Sequence, residues 1–408
     1  MNTVLQKTVR CLLPLSLRQR LREPVYDWLN RRAIRAAVLP AALQPGIKLY
    51  GLLDEASGMG SAARILALGC RTAKVPLSLC PLHSNGGNGV AIEDFSPLCS
   101  NENGMGCNLF VFNADCSGAF LHQCGAGVLR GRYNIAHWSW ELPKFPARWD
   151  RAFEPYDEIW TISEFCREAI AERTDKPVRV IPYGILPAPD KSLMRADFSL
   201  PEGRLLYLCM CDLRSTAQRK HPLGALEAYL RAFPEENGET GLVIKLIGGT
   251  VPPSIRRLMG NRSDIFLLEG SFERRRTDAL IDLCDVFVSL HRAEGFGLPI
   301  AEAMALGKAV VVTGWSGNMD FCSSDNACCV KYSLTPIGKL ATPPYDAWQS
   351  WAEPDIDDAA SWLHRLWKEP ARRQQLARAG QECIRSRYSP QRCGESMQAR
   401  LRELELLP

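Results

Sequence analysis

Short apolar runs alternate with stretches of helical period from Gly46 to Gly314, and this alternation constrains the fold more than any other feature. In the second half "RLLYLCMC", "LVIKLIG", "IFLLEG", "DVFVSL" and "KAVVVTG" are strand candidates, with helices such as "PLGALEAYLRAF" and "RRTDALIDLC" between them. Earlier, "GIKLYGLL", "NLFVFN", "YNIAHW" and "DEIWTIS" alternate with "SAARILALGCRTA" and "EFCREAIAERT". Strands interleaved with helices predict β-α-β units and parallel sheets. Valine-rich strands suit sheets covered on both faces. At 408 residues the chain exceeds one ordinary core. The proline-rich "YGILPAPDKSLMRADFSLPEG" reads as a linker. The spacing therefore predicts an α/β protein of two doubly wound, Rossmann-like domains facing across a cleft, with ligands at the carboxyl ends of the strands. We place a basic arm over 1–45, the first domain over 46–190, the second over 191–350, and C-terminal helices over 351–408 that pack back on the first domain.

Composition narrows the class. With 46% hydrophobic and 23% charged residues the chain reads as a globular protein, without an apolar run approaching the ~20 residues of a membrane span. "CLLPLSL" closes at Arg18 without a small-residue cleavage site, a poor signal peptide. The 16 cysteines include no C-x-x-C pair and no finger-like metal spacing, so they read as small buried hydrophobes in a reducing cytosol. Residues 1–40 hold eight basic groups against two acids, while the whole chain is +4. Leu12, Leu13, Leu15, Leu17, Leu21, Val25, Trp28 and Leu29 are interleaved with them. Such an arm suits either an anionic membrane surface or a helix packed on its own domain. The basic excess does not extend into the body, which argues against nucleic acid. The expected location is the cytoplasm, peripheral at the inner face of the membrane.

"HRAEGFGLPIAEAMALGKAVVVTG" (291–314) carries two acids, Glu294 and Glu302, around a turn. Pro299 suits the first turn of a helix, and Gly307 ends it. Glu294 then lies on the loop and Glu302 in the first helical turns, both bordering one site. Gly295 and Gly297 let the backbone approach a ligand, and the helix dipole favours an anionic group there. Glu302 can accept hydrogen bonds from a vicinal diol such as a ribose. The D-x-D at Asp355-Ile356-Asp357 follows no strand and reads as the acidic start of a helix.

"EGFGLPIAEAMALGKAVVVT" and "CDLRSTAQRKHPLGALEAYLRAF" (211–233) resemble the retaining GT-B glycosyltransferases of family GT4. "WSWELPKFPARWDRAFEPYDEIWTISEFCREAI" (138–170) is similar to a bacterial subgroup that builds polysaccharides. The resemblance covers most of residues 46–400 and leaves the arm outside. It implies the GT-B fold and a nucleotide diphosphate-sugar as co-substrate, with no metal and no other cofactor. Cationic side chains and backbone N–H groups would stabilise the leaving diphosphate. Arg219 and Lys220 match the family's Arg-Lys position, and Arg214 is a further candidate. Glu294 would face the donor sugar and Glu302 the ribose, while Phe296, Gly297 and Leu298 would line the sugar–diphosphate contact. His291 is either a packed strand-end histidine or a sugar contact. Gly58 and Gly60 of "DEASGMGSAAR" resemble the glycine loop that meets the diphosphate or acceptor. His137 matches a histidine near the reacting carbon and joins Glu294 as a catalytic candidate. Trp138, Trp140 and Glu141 either frame the acceptor or form an aromatic core at the domain edge. "HSNGGNG" (83–89) reads as a mobile loop over the acceptor side.

The implied reaction moves a hexose of mannose or glucose type, from GDP-mannose or a UDP-hexose, to a glycan or lipid-linked acceptor with retention of configuration. The diphosphate leaves, and the acceptor hydroxyl attacks the oxocarbenium-like centre from the same face. The leaving phosphate oxygen takes the proton, and domain closure excludes water. Two rivals stand beside it: a nucleotide-sugar epimerase, and a non-catalytic scaffold of the same fold docked to a membrane through its arm.

Overall fold

A computed structural model of the protein describes residues 15–84, 93–100 and 104–408. The helix α1 (Leu15–Ala36) comes first. β1 (Gln44–Gly51) buries every residue from Gly46 onward. A strand covered on both faces must do so, which is why the sequence shows apolar runs instead of strict alternation. α2 (Gly58–Thr72), β2 (Leu77–Pro81), β3 (Met105–Val111), α3 (Ser117–Cys124), β4 (Tyr133–His137), β5 (Glu158–Thr161), α4 (Glu164–Ala171) and β6 (Val178–Val180) complete this half. Serine caps open two of these helices. Ser57 accepts the Gly60 N–H at 3.1 Å and Ser163 accepts that of Cys166 at 3.1 Å. The six strands run parallel in the order β2-β1-β3-β4-β5-β6.

The second half repeats the scheme. It comprises β7 (Leu205–Asp212), α5 (Ala217–Lys220), α6 (Pro222–Ala232), β8 (Thr240–Ile247), α7 (Pro253–Met259), β9 (Ile265–Glu269), α8 (Arg274–Leu283), β10 (Val286–Ser289), α9 (Leu298–Ala305), β11 (Ala309–Thr313) and β12 (Cys328–Val330). Its order is β12-β11-β10-β7-β8-β9, again parallel. The winding reverses between β7 and β10, so the segments that leave these two strands emerge side by side although about 80 residues apart. Ligands of open parallel sheets gather at such a point.

A hairpin of β13 (Tyr332–Pro336) and β14 (Ser350–Pro354) follows, then α10 (Ile356–Lys368), α11 (Pro370–Arg387) and α12 (Pro390–Glu403). Asp355 caps α10, accepting the N–H groups of Asp357 and Asp358 at 3.0 Å each. The D-x-D is thus the acidic helix start that its spacing suggests. α10 lies on α6 and α11 on α9, but α12 returns to the first half and lies on α2. A Cβ at Gly394 would stand 2.1 Å from the Gly69 carbonyl, so only glycine permits this approach. Arg400 of α12 meets the fully buried Glu158 of β5 at 2.6 Å. The chain thus passes between the halves twice, and the crossings touch where Ile185 donates its N–H to the Tyr388 carbonyl at 2.6 Å.

Candidate active site

α5 is four residues long and flanked by two non-glycine residues in the left-handed region, Thr216 (φ 64°) and His221 (φ 49°). Each costs about 1–3 kcal/mol and persists only where the surroundings enforce it. The strained turn delivers Arg219 and Lys220 to the loop after β10. There Lys220 Nζ bonds Glu294 Oε1 directly. Arg219, 2% exposed, places Nη1 3.5 Å from Glu294 Oε2 and 2.7 Å from the Ala293 carbonyl. Burial alone would raise the Glu294 carboxyl; Lys220 and then Arg219 outweigh it and hold the group at about 2. Glu294 therefore stays ionised inside the protein.

The backbone around Glu294 is fixed as firmly. Its N–H donates to Ser316 Oγ at 2.9 Å, and its carbonyl accepts the Gly317 N–H at 2.9 Å. His291 is fully buried with both ring nitrogens engaged, by Ser289 Oγ at 3.1 Å and Asn318 Oδ1 at 3.0 Å. It takes the packed role and braces the Asn318 turn behind Glu294.

Glu302, on the fifth residue of α9, is buried and pairs with Arg274 Nη1 at 2.6 Å. Burial raises its carboxyl although Arg274 opposes the shift. Arg274 also holds Asp278 at 3.1 Å. Across the gap lies Arg64 of α2, bound to the Leu53 and Glu55 carbonyls at 2.7 and 2.9 Å. Desolvation, and then the Arg274 charge, lower the Arg64 guanidinium. Two guanidiniums from opposite halves thus repel one another beside the N-terminus of α2. The glycines there divide their work. A Cβ at Gly60 would stand 2.2 Å from the Glu55 carbonyl, whereas Gly58 has nothing within 4 Å and leaves its backbone open to a ligand. Arg214 stands apart, paired with Asp212 at 2.8 Å on the surface.

In the first half His137 ends β4, nearly buried, with its ring 5.7 Å from that of Tyr183. Its Nε2 has no partner among the described residues. Burial lowers the ring to about 4, so it is neutral at neutral pH. Glu141 accepts the Tyr345 hydroxyl at 3.0 Å and lies 3.6 Å from Arg219. Trp138 is fully buried against Phe145 and Phe153, so its side chain belongs to the core and the acceptor reading gives way there. Phe296 likewise packs on Tyr183 (5.3 Å) and Phe321 (5.0 Å). Only its backbone remains for a ligand, beside Leu298 and the left-handed Gly297 (φ 90°). The halves close on each other at Gly295, whose carbonyl accepts the Ser163 hydroxyl.

The structure thus brings Glu294, Arg219, Lys220 and Glu141 into one cluster and sets Glu302 on Arg274. Sequence reasoning missed Arg64, Arg274, Ser316, Asn318 and Tyr345. Arg274 stands just before the helical "RRTDALIDLC", and nothing local marks it as the partner of an acid 28 residues on. Residues 85–89 of the "HSNGGNG" loop lie outside the described residues. Among the described residues no group of three or more His, Cys, Asp or Glu is placed to hold a metal ion. Cationic side chains and an open helix N-terminus can bind and neutralise an anionic leaving group.

Two six-stranded parallel sheets with this site between them define the GT-B architecture. Residues 216–335 match the family model for glycosyl transferases, group 1. Together, fold and match support a transferase, with the glycosyltransferase match confined to residues 216–335. Anabaena HepE, solved with UDP and glucose, aligns at a TM-score of 0.62 and 12% identity over 88% of this chain and 99% of its own. Sucrose-phosphate synthase from Thermosynechococcus elongatus gives 0.62 and 15% over 88% and 99%. A mutant of S. aureus TarM, solved with UDP, alpha-GlcNAc-glycerol and Fondaparinux, gives 0.55 and 12% over 75% of this chain; this chain spans 57% of TarM. At such identities the likeness is one of fold. No curated protein matches the chain significantly.

Proposed function

We propose that the protein is a retaining hexosyltransferase of GT4 type, moving a mannose- or glucose-type sugar from a nucleotide diphosphate-sugar to a glycan or lipid-linked acceptor. The observation that carries this reading is the Glu294 carboxylate, buried yet ionised between Lys220 and Arg219 at the switch point of the second sheet. In this reading residues 46–190 receive the acceptor and 191–350 the donor. Lys220, Arg219 and the open backbone at Gly58 meet the diphosphate, and Glu294 orients the sugar. On donor binding Glu302 exchanges Arg274 for the ribose hydroxyls, and Arg274 is freed to face phosphate beside Arg64. Neutral His137, with an unused Nε2, hydrogen-bonds the reacting sugar. The leaving phosphate takes the acceptor proton, so no further base is needed.

The arm reaches an anionic membrane surface in this reading. Its support is the exposed Val25 and Trp28 on α1, with the Arg32 guanidinium 5.8 Å from the Trp28 ring centre. No helix of the described residues is long and apolar enough to cross a membrane. The test is a thermal-shift panel of GDP, UDP and ADP with their common sugars, on the wild type and on Glu302→Ala. Stabilisation by one nucleotide series, reduced in the variant, supports the reading and names the base. No shift with any of them overturns it. Proton NMR of the first-formed product then reads retention directly.

A further inference from the structure

The connection between β13 and β14 (337–349) lies beyond the stretch that matches the family model, yet it reaches the active cluster. The hairpin grips the site from two sides. At its base Glu353 takes Arg292 with both carboxylate oxygens, at 2.6 and 2.7 Å. Arg292 in turn donates to the Gln218 carbonyl from Nη1 at 2.6 Å and to the Arg219 carbonyl from its N–H at 2.7 Å. The strained turn that carries Arg219 is thereby braced from the hairpin. At the tip Tyr345, 7% exposed, donates its hydroxyl to Glu141 Oε2 at 3.0 Å. Asp346 pairs with Arg148 at 2.6 Å, and Gln349 donates to the Lys144 carbonyl at 2.8 Å. These contacts clasp the hairpin to the first half.

The clasp decides where Glu141 points. With Oε2 held by Tyr345, Oε1 faces Arg219 Nη2 at 3.6 Å. Arg219 and Lys220 then stand against two carboxylates, Glu141 from the first half and Glu294 from the second. A cluster balanced in this way has little field left for an incoming anion. Arg219 is nonetheless unsatisfied. It is 2% exposed, and its Nε has no partner among the described residues. A buried N–H without an acceptor signals a missing hydrogen bond. At 3.6 Å Glu141 neutralises the guanidinium without hydrogen-bonding it. It holds the place of an anion that can bond better.

We propose that Glu141, clasped by Tyr345, is an internal stand-in for the diphosphate: it occupies Arg219 until a diphosphate displaces it, so the hairpin sets the threshold for donor entry. The proposal rests on the transferase reading above and adds a self-inhibiting contact to it. The full-length protein is titrated with inorganic diphosphate by calorimetry, as wild type, Glu141→Gln and Tyr345→Phe. Glu141→Gln removes the charge and keeps an acceptor for the tyrosine. Tyr345→Phe removes no charge and keeps a ring beside Trp140, 5.5 Å away, so it separates the clasp from charge alone. We expect diphosphate to bind about tenfold tighter to Glu141→Gln and about threefold tighter to Tyr345→Phe. A folding defect lowers affinity and does not produce such a gain. Equal or weaker binding by Tyr345→Phe overturns the proposal whatever Glu141→Gln does, as does the absence of diphosphate binding by all three proteins. The nucleotide thermal-shift panel runs alongside. Nucleotide stabilisation without the gain removes the stand-in alone. The gain without nucleotide stabilisation keeps the stand-in and removes the transferase reading.

Discussion

The Ser163 hydroxyl donates to the Gly295 carbonyl at 2.6 Å, joining a helix start of the first half to the Glu294–Gly297 turn of the second. The same oxygen caps α4 through Cys166 N–H. Ser163→Ala removes both bonds. It should lower stability by about 1–2 kcal/mol in urea denaturation and loosen the closed arrangement of the halves. An unchanged unfolding midpoint contradicts the bridge.

Glu294 makes stability depend on acid. Its carboxyl sits at about 2 in the folded protein against an ordinary value of 4.5. A depressed carboxyl adds stability in full above the unfolded value, and loses it as pH falls through the folded one. The stability gap between wild type and Glu294→Gln should therefore be constant above about pH 4.5 and shrink toward pH 2. Denaturation curves across that window decide it. Turnover by Glu294→Gln should fall more than donor affinity does.

His137 acts in a different window. Its ring is lowered to about 4 from an ordinary 6.5 by burial. Between those values the unfolded chain takes a proton that the folded protein refuses, so acid destabilises the protein as pH falls from 6.5 to 4. Below 4 the folded ring is protonated too and the slope ends. His137→Gln should flatten this part of the curve. In initial-rate kinetics it should lower kcat more than it raises the donor KM.

Glu302→Ala leaves Arg274 with Asp278 as its carboxylate partner. Nucleotide affinity should drop about tenfold by titration calorimetry, because the ribose loses charged hydrogen bonds. Unchanged affinity moves the ribose elsewhere.

Glu158 is wholly buried and held by Arg400, by Tyr133 at 3.1 Å and by Trp160 at 2.9 Å. Arg400→Ala leaves a buried carboxylate without its cation and should cost about 3–5 kcal/mol. A drop in melting temperature with donor affinity intact below the transition is the expected signature.

The alternation of strands and helices was legible because buried parallel strands must be apolar throughout, as β1 and β11 are. The Glu294 loop and the Arg219-Lys220 turn were legible as parts, and their meeting followed from neighbouring strands. Burial of Phe296 was not, and that of Trp138 was one of two open readings. Each is an aromatic beside polar residues, and only tertiary packing decides which way it turns. The Glu302–Arg274 pair lay beyond reach for the opposite reason. An arginine among arginines carries no local mark, and the long-range pairing appears only once α8 and α9 are side by side. His291 was open between two readings until its ring partners on the Asn318 turn were fixed.

The two crossings between the halves, joined at Ile185 and Tyr388, act as a door hinge with two straps in place of a ball joint. A single tether leaves every rotation free. Two tethers fastened together resist twist and sideways slip, and they leave one soft swing about the line that joins them. Opening the cleft along that swing keeps Lys220 and Glu294 together, since both ride on the same leaf, and parts them from His137 and Glu141 on the other. The Lys220–Glu294 pair thus lies wholly on one side of the hinge, and its register with His137 and Glu141 is set across it.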